Sequence, residues 1–236
     1  MSFKPEFKNL RAHRDWNLFL LRDKNNGPSV ERVFIQTVPY SGAGFEPPAS
    51  TVLVPVRNEF VSLLSSFGTA TFEEQTVLQF PLLSVNGAVT GDITGNVNIV
   101  AGPIIDPEFP PELTVDNRNV NGRFNTTPSG AKFVELSNGV EVQDEATLTP
   151  SVNKTAIGFY LSDIADFSNT LTITVNTSNG SLIYVIPNPN PVAPVTFAMF
   201  FAVCLVDRTV INVNLKWTNT NDIIGIDDII IGDYHN

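Results

Sequence analysis

One cysteine and two histidines are all that 236 residues offer of soft metal ligands and of the usual nucleophile–base pairs. A single thiol excludes an intrachain disulfide. A Cys/His zinc site is excluded too, because His13 and His235 lie near opposite ends of the sequence. Cys204 sits in Phe-Ala-Met-Phe-Phe-Ala-Val-Cys-Leu-Val and reads as a buried small hydrophobe. Positive charge is scarce: 14 Lys and Arg stand against 24 Asp and Glu, for a net charge of −10. Such a body repels nucleic acid and anionic membranes, so neither is an expected partner. No apolar run is long enough to span a bilayer; residues 195–206 come nearest and are broken by Thr196. The opening Met-Ser-Phe-Lys-Pro-Glu-Phe-Lys lacks the apolar stretch of a signal peptide, so a chain made without one is expected. There is no Gly-x-Ser-x-Gly elbow, phosphate loop or His-based motif. The expectation is therefore no enzyme. A glycosidase-like pair among the acids is the remaining catalytic alternative, since it needs only two carboxylates at a suitable separation.

Val, Ile, Thr and Phe are abundant, with Pro and Gly between short apolar runs. This predicts an all-β, two-sheet antiparallel sandwich of jelly-roll type. Strands are predicted at 69–83, 97–101, 131–136, 155–161, 171–176, 182–186, 195–206, 210–218 and 223–231. Leu171, Ile173 and Val175 alternate with Thr172, Thr174 and Asn176, giving that strand one wet face. Residues 197–206 are apolar throughout, so their strand should be central and covered on both faces. Residues 105–125 carry several prolines and read as a long loop.

Residues 1–66 read as a separate segment from the sandwich of 67–236. They carry about +2 and the remainder −12. Residues 16–21 and 30–38 flank an Asn26-Gly27 turn signal and predict a hairpin. Residues 51–56 read as a short strand with Pro55 at an edge. Phe60, Leu63, Leu64 and Phe67 share one helical face, predicting a helix over 57–68. Split into small groups, the apolar side chains Trp16, Phe19, Leu21, Phe34 and Ile35 cannot form a core alone. They predict an assembly arm that docks on another subunit, in a homo-oligomer or a larger structure.

Three motifs carry a family resemblance. They are Gly-Arg-Phe-Asn-Thr-Thr-Pro-Ser-Gly-Ala-Lys-Phe-Val-Glu-Leu from Gly122, Ala-Ile-Gly-Phe-Tyr-Leu-Ser-Asp-Ile-Ala-Asp-Phe from Ala156, and Asp-Ile-Ile-Gly-Ile-Asp-Asp-Ile-Ile-Ile-Gly from Asp222. Over residues 69–233 the chain resembles the jelly-roll ectodomains of PEP-CTERM-type secreted bacterial proteins, and more loosely MAM-like jelly rolls. It departs from them in showing no signal peptide and no C-terminal Pro-Glu-Pro anchor. The resemblance implies an early Phe72-Glu73 strand beside a late Ile-Asp-Asp strand, with Glu73 or Glu74 near Asp227. Together with Asp228 these carboxylates would suit Ca²⁺. Alternation on a strand sends Asp227 and Asp228 to opposite faces. Asp163 and Asp166 could join the cluster or simply stabilise a turn. For sugar binding the candidate aromatics are Tyr160, Tyr184, Trp217 and Tyr234, with Trp217 facing the core.

The function expected from all this is non-enzymatic. The first reading is a phage virion component (decoration, collar or tail accessory protein), with an acidic jelly roll facing outward. The alternative is an extracellular adhesin or carbohydrate-binding module that meets surface glycans.

Overall fold

The computed structural model describes residues 17–22, 30–40, 49–73, 84–85, 88–93, 97–101, 112–116, 123–127, 130–137, 144–164, 170–187, 196–217 and 224–235. In chain order the elements are β1 (Asn17–Arg22), β2 (Val30–Tyr40), α1 (Ala49–Ser62), β3 (Leu64–Ala70), β4 (Ser84–Val85), β5 (Ala88–Ile93), β6 (Val97–Ala101), β7 (Glu112–Asp116), β8 (Phe133–Ser137), β9 (Asp144–Pro150), β10 (Ala156–Ser162), β11 (Thr170–Thr177), β12 (Gly180–Pro187), β13 (Thr196–Cys204), β14 (Val210–Trp217) and β15 (Ile224–Tyr234). They form two antiparallel sheets. The first runs β1-β2-β13-β10-β15-β8-β7, with β3 also pairing β15. The second runs β12-β11-β14-β9-β6-β5-β4. The all-β sandwich is as the sequence pattern predicts.

The two sheets enclose one apolar core. Ile157, Phe159, Met199, Phe201 and Val203 from the first meet Leu148, Ile173, Val175, Val213, Leu215 and Trp217 from the second. A second cluster lies on the other face of the first sheet, where α1 packs. It joins Leu53, Val56 and Phe60 of the helix to Phe34, Val38, Ala156, Tyr160, Phe200, Ala202 and Cys204. The first sheet is thus covered on both sides, which is why β13 reads as a continuous apolar strand and why β10 is buried along its whole length. Phe60 sits edge-on to Phe34 at 5.8 Å and tilted to Phe200 at 5.9 Å. Gly158 makes room for it: a Cβ there would fall 2.9 Å from Phe60 Cε1 and 2.8 Å from the Ala202 Cβ.

The strand and helix assignments correct three expectations. The helix spans residues 49–62 rather than 57–68, so residues 51–56 are helical and Pro55 lies inside the helix. A proline there costs a backbone hydrogen bond, on the order of 3 kcal/mol. Burial of Ala49, Leu53, Val56 and Phe60 along one face offsets it. Of the predicted face only Phe60 is buried; Leu63, Leu64 and Phe67 belong to the turn and to β3, and Phe67 is 49% exposed.

The second correction concerns the arm. The β1–β2 hairpin forms as predicted, but β2 also pairs with β13 over nine residues, from Tyr40↔Thr196 to Arg32↔Cys204. Phe34 is buried under α1, and Ile35 packs against the main core. These residues are part of the sandwich, so no boundary separates 1–66 from the rest among the described residues. Trp16 lies outside the described residues, as do the side chains of Phe19 and Leu21. The third correction is that residues 112–116, placed in a long loop, form β7 against β8.

Candidate functional site

Three carboxylates gather around residues 123–132, the segment that leads into β8. Glu73 follows Phe72, whose φ of 62° puts a bulky buried residue in the left-handed region. That bend sends the Glu73 side chain to the segment. Its Oε1 accepts from Asn125 Nδ2 at 2.9 Å, from the Ala131 amide at 2.9 Å and from the Lys132 amide at 2.8 Å. On the other side Asp227 Oδ2 accepts from the Thr126 amide (2.6 Å), the Thr126 hydroxyl (2.9 Å) and the Thr127 amide (3.2 Å). Asp228 Oδ1 accepts from the Thr127 hydroxyl at 2.6 Å.

Strict alternation would separate Asp227 from Asp228. A β-bulge brings them together instead. The β10–β15 register slips between Gly158↔Ile230 and Tyr160↔Asp227, and Asp228 takes a φ of 47°. The extra residue re-aims a side chain, so both acids are buried and reach the same segment. The expectation that one of them faces outward is corrected by this.

Burial, and then the charge of Asp228, push the Asp227 carboxyl well above the usual range; the Thr126 donors oppose this without reversing it. Burial also raises Asp228, although Thr127 and Arg57 pull it back. Asp227 Oδ1 is buried and has no hydrogen-bond partner among the described residues. A proton or a hard cation on that oxygen would relieve it. Of the residues expected to hold Ca²⁺, Glu73, Asp227 and Asp228 address one segment, and Glu74 lies outside the described residues. Among the described residues no three His, Cys, Asp or Glu groups form a metal cage. Glu73 Oε1 and Asp227 Oδ2 already spend their lone pairs on N–H and O–H donors.

Asp163 does not join this cluster, and Asp166 lies outside the described residues. Asp163 Oδ2 pairs with Arg123 Nη1 at 3.0 Å, while Arg123 Nε meets Glu135 Oε1 at 2.6 Å, all three side chains being buried. Burial alone would lower the Arg123 pKa; Glu135 and then Asp163 hold it raised. Cys204 is buried, which pushes its thiol up to about 12 and leaves it unreactive.

Of the four candidate aromatics three turn inward, and Tyr234 is half-buried against the cluster under α1. Trp217, Tyr160 and Tyr184 are all buried, so none offers a platform for a sugar ring. Among the described residues a polar surface lies on the outer face of the second sheet. Its strand registers align side chains in rows across four strands. Val185, Thr172, Lys216 and Glu145 form one row, and Ile183, Thr174, Asn214 and Thr147 the next. Ser181, Asn176 and Asn212 form a third. The rows are cross-linked. Ser181 Oγ donates to Asn176 Oδ1 (2.6 Å), and Asn176 Nδ2 to Asn212 Oδ1 (2.7 Å). Asn214 Nδ2 donates to Glu145 Oε1 (2.6 Å) and Thr147 Oγ1 (3.2 Å). Lys216 Nζ lies 3.4 Å from Glu145 Oε2. The two charges in these rows therefore cancel, on a protein whose net charge is −10. The wet face of β11 was legible as alternating Thr and Asn. The partnership with β9 and β14 was not, because it depends on which strands pair.

No protein-family profile matches this chain, and no curated protein matches it. Among solved structures it is similar to a family 11 carbohydrate-binding module from Clostridium thermocellum, determined with a β-1,3-1,4-mixed-linked tetrasaccharide. The identity is 11% and the TM-score 0.34, over 65% of this chain and 100% of that one. The fold assignment rests on the strand pairing itself, and the chain is an antiparallel β-sandwich.

Proposed function

We propose that this chain is a non-catalytic binding module for neutral glycans, and that it binds them on the outer face of the second sheet. What supports the reading is the neutral, cross-linked array of Thr172, Thr174, Asn176, Asn212, Asn214, Lys216 and Glu145. Amides, hydroxyls and a carboxylate supply donors and acceptors in fixed positions, which suits a ligand with many hydroxyl groups. Lys216 is matched by Glu145, so the face does not select for an anion. Ile183 and Val185 border the array and present aliphatic surface to the C–H face of a sugar. The site of action is then extracellular or on a virion surface, where glycans are met.

A glycan array followed by calorimetry tests this. Neutral oligosaccharides should bind, and Asn214→Ala and Asn176→Ala should abolish binding with Tm unchanged. Binding that survives both substitutions, or an array with no neutral glycan bound, overturns the reading.

A further inference from the structure

We propose that β12 is a self-association edge, and that two copies of this chain pair antiparallel through it to make one continuous sheet. The proposal goes beyond glycan binding and stands without it.

Among the described residues β12 is the terminal strand of the second sheet, hydrogen-bonded on one side to β11. The alternate N–H and C=O groups of an end strand face away from its neighbour and can pair with another strand. Natural sheets commonly blunt such edges with lysine, inward charges, bulges or proline. The β11–β12 ladder runs without a register slip from Thr170↔Pro187 to Thr177↔Gly180, and proline appears only at its last residue. On its outer face stand Ile183 and Val185, 64% and 60% exposed. β-Branched side chains set directly across an antiparallel pair stabilise it.

Charge decides who the partner is. Residues 167–206 contain no Asp, Glu, Lys, Arg or His, in a chain of net charge −10. β11 and β12 both lie in this neutral stretch. A cationic partner would find no local charge to bind here. A second copy, itself strongly acidic, can approach without bringing like charges together only where neither surface is charged. Antiparallel pairing of a strand with itself is isologous: one two-fold axis relates the copies, and Ile183 and Val185 of each face the same edge of the other. Such an axis, normal to the sheet, also places both outer faces on the same side.

Sedimentation equilibrium without ligand tests the proposal. The unmodified protein should dimerise reversibly at micromolar concentration. Ile183→Lys should weaken the dimer about 100-fold or more through like-charge contact across the axis, with Tm of the isolated chain unchanged because the side chain is exposed. Ile183→Glu should do the same, and a mixture of the two variants should recover dimer as the heterodimer. Ile183→Val should dimerise as the parent does. A monomer throughout the concentration range, or a dimer unaffected by both charged variants, overturns the proposal. So does failure of the mixture to recover. A loss of glycan binding with dimerisation intact would bear on the proposed function alone.

Discussion

Asp227 and Asp228 are consecutive in the chain, yet both carboxyl groups accept from the same residue, Thr127, and Asp227 accepts from Thr126 as well. The bulge opposite Phe159 makes this geometry, and the left-handed Asp228 backbone allows it. The last strand and the entry to β8 are thereby pinned by carboxyl oxygens that accept from backbone and hydroxyl donors.

Removing the pin should be costly. Asp227→Ala leaves the Thr126 amide buried without its acceptor and should cost roughly 3 kcal/mol in denaturant unfolding. Asp227→Asn keeps an acceptor oxygen and should stay within about 1 kcal/mol of the parent at neutral pH. Equal losses for the two substitutions would show that the carboxylate charge, rather than its acceptor role, holds the segment.

The same pair predicts a pH dependence. Asp227 and Asp228 are both raised by burial. A carboxyl with a raised folded pKa contributes stability that is complete below its unfolded pKa, about 4, and is lost as pH rises toward the folded pKa. Stability measured in chelator should therefore fall from about pH 4 upward, and Asp227→Asn should flatten that fall. Asp233 is lowered by Lys154 and then Ser66 and runs in the opposite sense, but it is exposed and contributes little. Ca²⁺ on Asp227 Oδ1 would change the outcome, because a ligand of the native state raises Tm by mass action. Melting curves that coincide in Ca²⁺ and in chelator assign that oxygen to a proton. A higher Tm in Ca²⁺ assigns it to the cation.

Gly158 is expected to set how closely α1 can approach the first sheet. Gly158→Ala should cost about 1–3 kcal/mol, because its Cβ would press on Phe60 and on Ala202. Phe60→Leu, itself destabilising, should cost less in the Gly158→Ala background than alone. Strict additivity in the double-mutant cycle would mean that the Phe60 contact is not what Gly158 relieves.

Deleting residues 1–48 should leave an insoluble or unfolded chain. The deletion strips β2 from β13 and removes Phe34 and Val38 from beneath α1. A soluble product with native far-UV circular dichroism and a cooperative melt would restore the picture of a dispensable arm.

The all-β class, the pairing of β1 with β2, the double-faced burial of β13 and the burial of Cys204 are all legible in the sequence. Each of these follows from local periodicity, turn chemistry or a continuous apolar run, which a single segment carries in its own residues. That residues 51–56 are helical is not legible in the sequence. There the local propensity of Pro55 is overridden by burial of Leu53, Val56 and Phe60 against strands far away in sequence. The tertiary structure decides that β2 is inserted into the sandwich, since pairing with β13 is a contact between residues far apart in the chain. The convergence of Glu73, Asp227 and Asp228 on one segment needed a bulge and a left-handed turn that residue identity does not announce. The polar face depends on β9 and β14 being neighbours, and a strand's own sequence records which face is wet but not which strand lies beside it.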